Sequence, residues 1–142
     1  MTKAPPNIDA LPWRKMRIDG IGKVVSGATP STANAEYWNG PIIWITPADL
    51  SALRSRHLST SERTLTELGF SRCAARLLPA RSLVISSRAP IGHLALPLIP
   101  FCTNQGCKSI DFYEGQHPDF HYYNLRFWVR RIHDKGEGTT FA

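Results

Sequence analysis

Residues 83–96 read LVISSRAPIGHLAL, and how this stretch folds decides what kind of protein the chain can be. Two short apolar runs, at 83–85 and 94–96, are rich enough in branched side chains to form strands. Between them lies a corner: Pro90 fixes φ and Gly92 permits a turn. The Ser86-Ser87-Arg88…His93 sequence inside it invites a second reading, a nucleophilic site. A serine nucleophile needs a base within hydrogen-bond reach and donors for an oxyanion. Here the two serines sit in a strand pattern, so their side chains point to opposite faces. The Gly-x-Ser-x-Gly elbow is absent, and no acid stands near His93 to orient it. The serines are read as satisfying backbone groups at a strand end.

Working outward, PIIWIT (41–46) and KSIDFY (108–113) are further strands, with Pro47 ending the first and Gly115 supplying a turn after the second. The segment 13–27 offers a short strand or a turn of helix punctuated by Gly20 and Gly22. GATPSTANAEYWNG (27–40) reads as a long loop that Tyr37 and Trp38 fold back onto the body. Thr64-x-x-Glu67 resembles a capping box for a short helix stopped by Gly69, and Ser71 is placed to cap a second, SRCAARLL, stopped by Pro79. A longer helix is expected over PDFHYYNLRFWVRRIHDK (118–135), with proline in its first turn and Gly136 beyond its end. Its aromatics Phe120, Tyr123, Phe127 and Trp128 are assigned to the core. Short strands mixed with a few helices, without β-α alternation, indicate an α+β fold.

The 142 residues suffice for one domain with its own core, 13–142, after a loose lead-in over 1–12 that carries Pro5, Pro6 and Pro12. Lys and Arg outnumber Asp and Glu by 17 to 11, a net charge of +6. That balance favours an anionic partner such as nucleic acid, acidic lipid or a phosphorylated ligand. There is no signal-peptide core and no run near the ~20 apolar residues of a membrane span. The three cysteines, Cys73, Cys102 and Cys107, fit neither a disulfide framework nor C-x-x-C spacing. They are expected to be reduced thiols of a cytoplasmic protein, and a zinc site at Cys102 and Cys107 would need two more ligands.

Metal-dependent cleavage of nucleic acid needs clustered carboxylates. Asp49, Glu62, Glu67, Asp111, Glu114 and Asp119 are scattered along the chain, and no nucleotide-binding loop is present. No metal or cofactor is therefore expected. Nucleic-acid binding has more material. Arg54, Arg56, Arg63, Arg72, Arg76, Arg81 and Arg88 crowd the middle of the chain, and the guanidinium fork suits guanine edges and phosphates. Asn104 and Gln105 lie in TNQG, a turn whose amides can pair with adenine, although Asn104 there can equally satisfy its own turn. GEGTT (136–140) offers amides and hydroxyls for phosphate.

Read together, these stretches resemble a known family. GATPSTANAEYWNGPIIWITPADL is similar to the Gly-x-Thr-Pro-Ser…Tyr-Trp-x-Gly…Trp-(Ile/Val)…Asp segment of target-recognition domains in Type I restriction-modification specificity (S) subunits. TLTELGFSRCAARLLPARSLVISSRAPIGHLAL resembles the family's Ser-Ser-Arg-Ala-x-Ile-Gly passage and what precedes it. CTNQGCKSI resembles its Thr-Asn-Gln-Gly-x-Lys-x-Ile, and GEGTTF its Gly-x-Gly-Thr-Thr-Phe ending. The matches run in order from Trp13 to Phe141. The resemblance implies a curved mixed or antiparallel sheet with short peripheral helices. It also implies a non-catalytic domain that reads one half of a split double-stranded DNA target in the major groove. Methylation and cleavage would fall to a DNA-methyltransferase (modification) subunit and a restriction subunit. Arg54, Arg56 and Arg88 are then expected at or near base edges, with Asn104 and Gln105. Thr29, Ser31, Lys108, Thr139 and Thr140 are expected on phosphate. The family's second recognition domain and spacer helices do not follow GEGTTFA here, so the expectation is an excised or truncated domain. Two alternatives stay open: a protein-interaction module for a modification subunit, and the recognition part of a single-chain restriction-methylation enzyme.

Overall fold

A computed structural model describes residues 16–135. The strands fall into two mixed sheets. In chain order the elements are β1 (Gly22–Ser26), β2 (Trp38–Ile45), α1 (Pro47–Ala52), β3 (His57–Leu58), β4 (Arg63–Leu65) and α2 (Glu67–Ser71), then β5 (Leu83–Ser86), β6 (Leu94–Pro97), β7 (Phe101–Thr103), β8 (Cys107–Phe112) and α3 (Pro118–Lys135). The larger sheet has the order β1-β8-β5-β6-β3 and the smaller β4-β2-β7. Pairing is antiparallel except for β3 with β6 and β2 with β7. The α+β reading holds, and its strands divide between two sheets.

Alternation along the strands builds two of the cores on opposite faces of the larger sheet. Val25, Val84, Ala95 and Cys107 point toward the smaller sheet and meet Ile45, Leu50 and Phe101. Leu83, Leu94, Leu96 and Ile110 point the other way and are covered by α3 through Tyr122 and Leu125. A third cluster joins Trp38, Trp44, Leu65, Ala75 and Cys102. The two tryptophans meet edge to face with centroids 5.0 Å apart, and the Arg63 guanidinium lies 3.7 Å from the Trp38 ring centre.

The stretch that opened the sequence reading folds as a strand, a corner and a strand. Gly92 has φ +85. The Ser86 hydroxyl donates to the Pro90 carbonyl at 2.6 Å and accepts the His93 amide at 3.0 Å. Ser87 Oγ donates to the Gly106 carbonyl at 3.3 Å. Both serines are buried and spend their hydroxyls on backbone.

Four local expectations are corrected. The smaller sheet's central strand begins at Trp38, earlier than PIIWIT, and continues through a bulge in which Trp38 and Ile42 both face Leu65; Asn39 takes φ +67 there. Thr64 does not cap α2, because β4 uses it opposite Ile43. Thr66 caps instead, its hydroxyl accepting the Gly69 amide at 3.0 Å and donating to the Glu36 carbonyl at 2.7 Å. The second helix at Ser71 is absent: Ser71 closes α2, and the chain then runs irregularly to Leu78, which bridges to Phe101. Finally, α3 starts at Pro118 as expected and runs to the last described residue, Lys135, but with a different face inward. It docks through Tyr122, Leu125 and Val129, the i, i+3, i+7 set, and leaves Phe120, Tyr123, Phe127 and Trp128 about half exposed.

The cysteines are free: Cys102 is buried among the tryptophans with Cys73 packed against the same cluster, and Cys107 lies between the sheets. Burial pushes the Cys102 thiol up to about 12, with Cys73 adding to it, and pushes Cys107 up to about 12, with Asp49 adding to it. Because only thiolate reacts, a disulfide reagent at neutral pH is expected to modify Cys73 alone in the native protein and all three after denaturation. Equal rates at the three thiols before unfolding would contradict this packing.

Candidate nucleic-acid interface

Loops from four parts of the chain converge at one end of the sheets. Chain approach there is close: the Ala28 amide donates to the Thr103 carbonyl at 3.0 Å, and the Asn104 amide to the Ile45 carbonyl at 3.0 Å. The Gly106 carbonyl accepts the amides of Ser87 at 2.8 Å and Arg88 at 3.2 Å. These bonds bring the 27–31 loop, the start of α1, the 87–92 corner and the 104–106 turn together. α1 itself starts with a capping box: Thr46 Oγ1 accepts the Asp49 amide, and Asp49 Oδ2 accepts the Thr46 amide at 2.9 Å.

Several expected site residues meet on this end. Thr29 Oγ1 donates to Gln105 Oε1 at 2.5 Å, across 76 positions of sequence. Gln105, Arg88 and Lys108 are exposed, and Lys108 Nζ donates to Ser26 Oγ at 2.7 Å. Asn104 is committed to its own turn, its Oδ1 accepting the Gly106 amide at 2.9 Å. Ser31 shapes the 27–37 loop: its hydroxyl accepts the Ala33 amide and its carbonyl accepts Trp38 Nε1 at 3.1 Å. Thr139 and Thr140 lie outside the described residues.

The other two arginines stand apart from that group, beside an open cleft of about 700 Å³ between the α1–β3 connection, the corner residues 91–94 and α3. Arg54 is exposed on its rim. Arg56 is engaged: Nε donates to Asp119 Oδ1 at 3.0 Å and Nη1 to the Tyr123 hydroxyl at 3.2 Å. Arg81 Nη2 reaches the other oxygen of the same carboxylate at 3.2 Å. Desolvation works to raise the Asp119 carboxyl, but the hydrogen bonds and charges of Arg56 and Arg81 outweigh it and hold it below the usual carboxylate range. The same hydrogen bond raises Arg56. Sequence reasoning missed this hub, since Asp119 is 63 positions from Arg56. It also passed over Arg126 and Arg130, which line the cleft from α3; their i, i+4 spacing is the signal that could have found them.

Among the described residues, no group of three or more His, Cys, Asp or Glu side chains could hold a metal ion. Among the same residues, no helix is long and apolar enough to cross a membrane. What the surface offers is amide, hydroxyl and guanidinium groups on loops seated by backbone hydrogen bonds, a set suited to base edges and phosphates.

Residues 11–142 match the Type I restriction modification DNA specificity domain. The chain is 37% identical over 131 residues to the Type I restriction enzyme MjaIX specificity subunit of Methanocaldococcus jannaschii, covering 91% of this chain and 30% of that protein. It is 35% identical over 95 residues to the EcoR124I/EcoR124II specificity subunit of Escherichia coli, covering 63% of this chain and 23% of that protein. It thus spans less than a third of these relatives' length. Among solved structures, the HsdS subunit from Thermoanaerobacter tengcongensis superposes with a TM-score of 0.66 at 19% identity, over 89% of this chain and 30% of that one. A chain from a structural study of complex assembly and conformational transition in a type I R-M system superposes with a TM-score of 0.67 at 17% identity, over 99% of this chain and 32% of that one. These two likenesses speak for the fold.

Proposed function

The chain belongs to the Type I restriction-modification DNA specificity domain family, and from that premise we propose that it reads one part of a double-stranded DNA target in the major groove. In this reading it has no catalysis of its own. It works in the cytoplasm beside a DNA-methyltransferase subunit, and through it a restriction subunit, which supply methylation and cleavage. The observation that carries the proposal is the loop end, where Gln105, Thr29 and Arg88 are gathered from distant stretches by hydrogen bonds to one turn. Polar tips on a rigid frame are what direct readout requires, because base-edge contacts specify sequence while phosphate contacts only position the protein.

Placement gives the candidate residues different roles. Arg88 and Gln105 are assigned to bases, and Lys108 and Thr29 to the adjoining phosphates. Asn104 and Ser31 keep the loops in shape, and Arg56 is tied to Asp119. Arg88→Ala is expected to lower the preference for the favoured duplex over a random one by about 5- to 150-fold, the range for one good base contact, with little change on the random duplex. Fluorescence anisotropy with labelled duplexes measures both. Equal loss on the two would remove Arg88 from the bases and assign it to phosphate.

A further inference from the structure

The cleft beside α3 carries more positive charge than the fold uses, since of its arginines only Arg56 is paired, with Asp119. Arg54 and Arg56 enter it from the α1–β3 connection and Arg126 and Arg130 from α3, and among the described residues no aspartate or glutamate lines it. The groove continues along the helix past Tyr123, Phe127 and Arg131, whose guanidinium lies 4.1 Å from the Phe127 ring centre. Among the described residues the ion pairs are Arg17–Asp19, Arg56–Asp119 and Arg81–Asp119, so none reaches Arg54, Arg126, Arg130 or Arg131. Converging like charges repel. The negative end of α3 favours cations in its last turn, a field that falls off before Arg126 at mid-helix and does not account for Arg54 arriving from a separate element.

We propose that this groove seats the phosphate backbone of the DNA, as a sequence-independent clamp that adjoins the base-reading loops at the 91–92 corner. The inference rests on the DNA-reading function above and adds the surface and residues that would supply most of the salt-dependent affinity. Arg126 and Arg130 lie on one face of α3, about 6 Å apart along its axis, and so present two charges in a row to a linear polyanion. Tyr123 and Phe127 line the same surface beside them, with rings that can lie against sugars. Phosphate contacts carry no sequence information. The clamp therefore acts on every duplex alike. An acidic protein segment is the competing occupant, and it would leave DNA affinity indifferent to these arginines.

The test compares the full chain with R126A/R130A, with the charge-keeping R126K/R130K, and with R72A/R76A, which removes two exposed arginines elsewhere. Each is titrated by anisotropy with a favoured and a random duplex over about 50–200 mM salt. R126A/R130A is expected to weaken both duplexes by the same factor, about tenfold or more, and to flatten the slope of log K against log salt by about 2, at ~0.9 per lost phosphate contact. The lysine pair is expected to restore the slope, and R72A/R76A to leave it near that of the unchanged protein. Wild-type affinity and slope in R126A/R130A would overturn the clamp. So would a loss confined to the favoured duplex, which would make the groove a base reader. If the unchanged protein binds both duplexes equally, the base-reading function fails, and the slope on the random duplex still decides the clamp. Thermal melting of each variant separates lost contacts from lost fold, and the lysine pair carries the comparison if the alanine pair does not fold.

Discussion

Gly27→Ala is expected to destabilise the protein by about 3 kcal/mol or more, at the upper end of what overpacking costs. A methyl group there would lie 2.0 Å from the Asn104 carbonyl oxygen and 2.3 Å from that of Thr103. Both are backbone atoms of the turn that carries Gln105, so neither can rotate away. The chain must separate instead, breaking the Ala28–Thr103 hydrogen bond and drawing Thr29 from Gln105. For a chain this size the melting temperature should fall by about 10 °C. DNA preference should fall further than stability alone dictates, since the displaced residues are the proposed readers. Melting and anisotropy on the same preparation check both. A variant that melts like the unchanged protein would show that the loop does not sit against the turn.

Trp44→Ala should cost about 3–5 kcal/mol, as large-to-small changes of a buried tryptophan do. Trp44 is 4% exposed, at the centre of the smaller sheet. Its removal empties the middle of the tryptophan cluster, and it also frees the Ala28 carbonyl, which accepts Trp44 Nε1 at 3.0 Å. Core and site are thus coupled through one side chain. Trp44→Phe keeps most of the ring and loses the donor. It is expected to recover more than half of the stability while still loosening the 27–31 loop, which faster amide exchange at Ala28 would report. Full stability in Trp44→Ala would mean that the cluster does not hold the loop.

What could be read from sequence was local. Pro118 marked the start of α3 correctly because helix starts are written in nearby residues. The strands at 83–86 and 94–97 were visible in their branched, apolar composition, and the Pro90–Gly92 corner in its backbone constraints. The division into two sheets was not legible, since the pairing of β2 with β7 and β1 with β8 joins segments far apart in the chain. Nor was the orientation of α3: aromatic residues suggested the buried side, while Tyr122, Leu125 and Val129 fit the sheet better and turned Tyr123 and Phe127 outward. The same long-range folding brought Thr29 to Gln105 and made Asp119 the partner of Arg56 and Arg81. Composition alone had treated those arginines as equivalent. Their partners divide them, and that division is what assigns Arg88 to bases and Arg56 to the framework.

The central claim is sequence-specific reading of duplex DNA, and its most direct test is selection of bound duplexes from a randomised library at two salt concentrations. The account predicts a short motif of a few contiguous base pairs, recovered at both concentrations and weakened in Arg88→Ala. Recovery that falls with salt and yields no motif would mean that only phosphate attraction holds the DNA, and it would contradict the assignment of the loop end to base recognition.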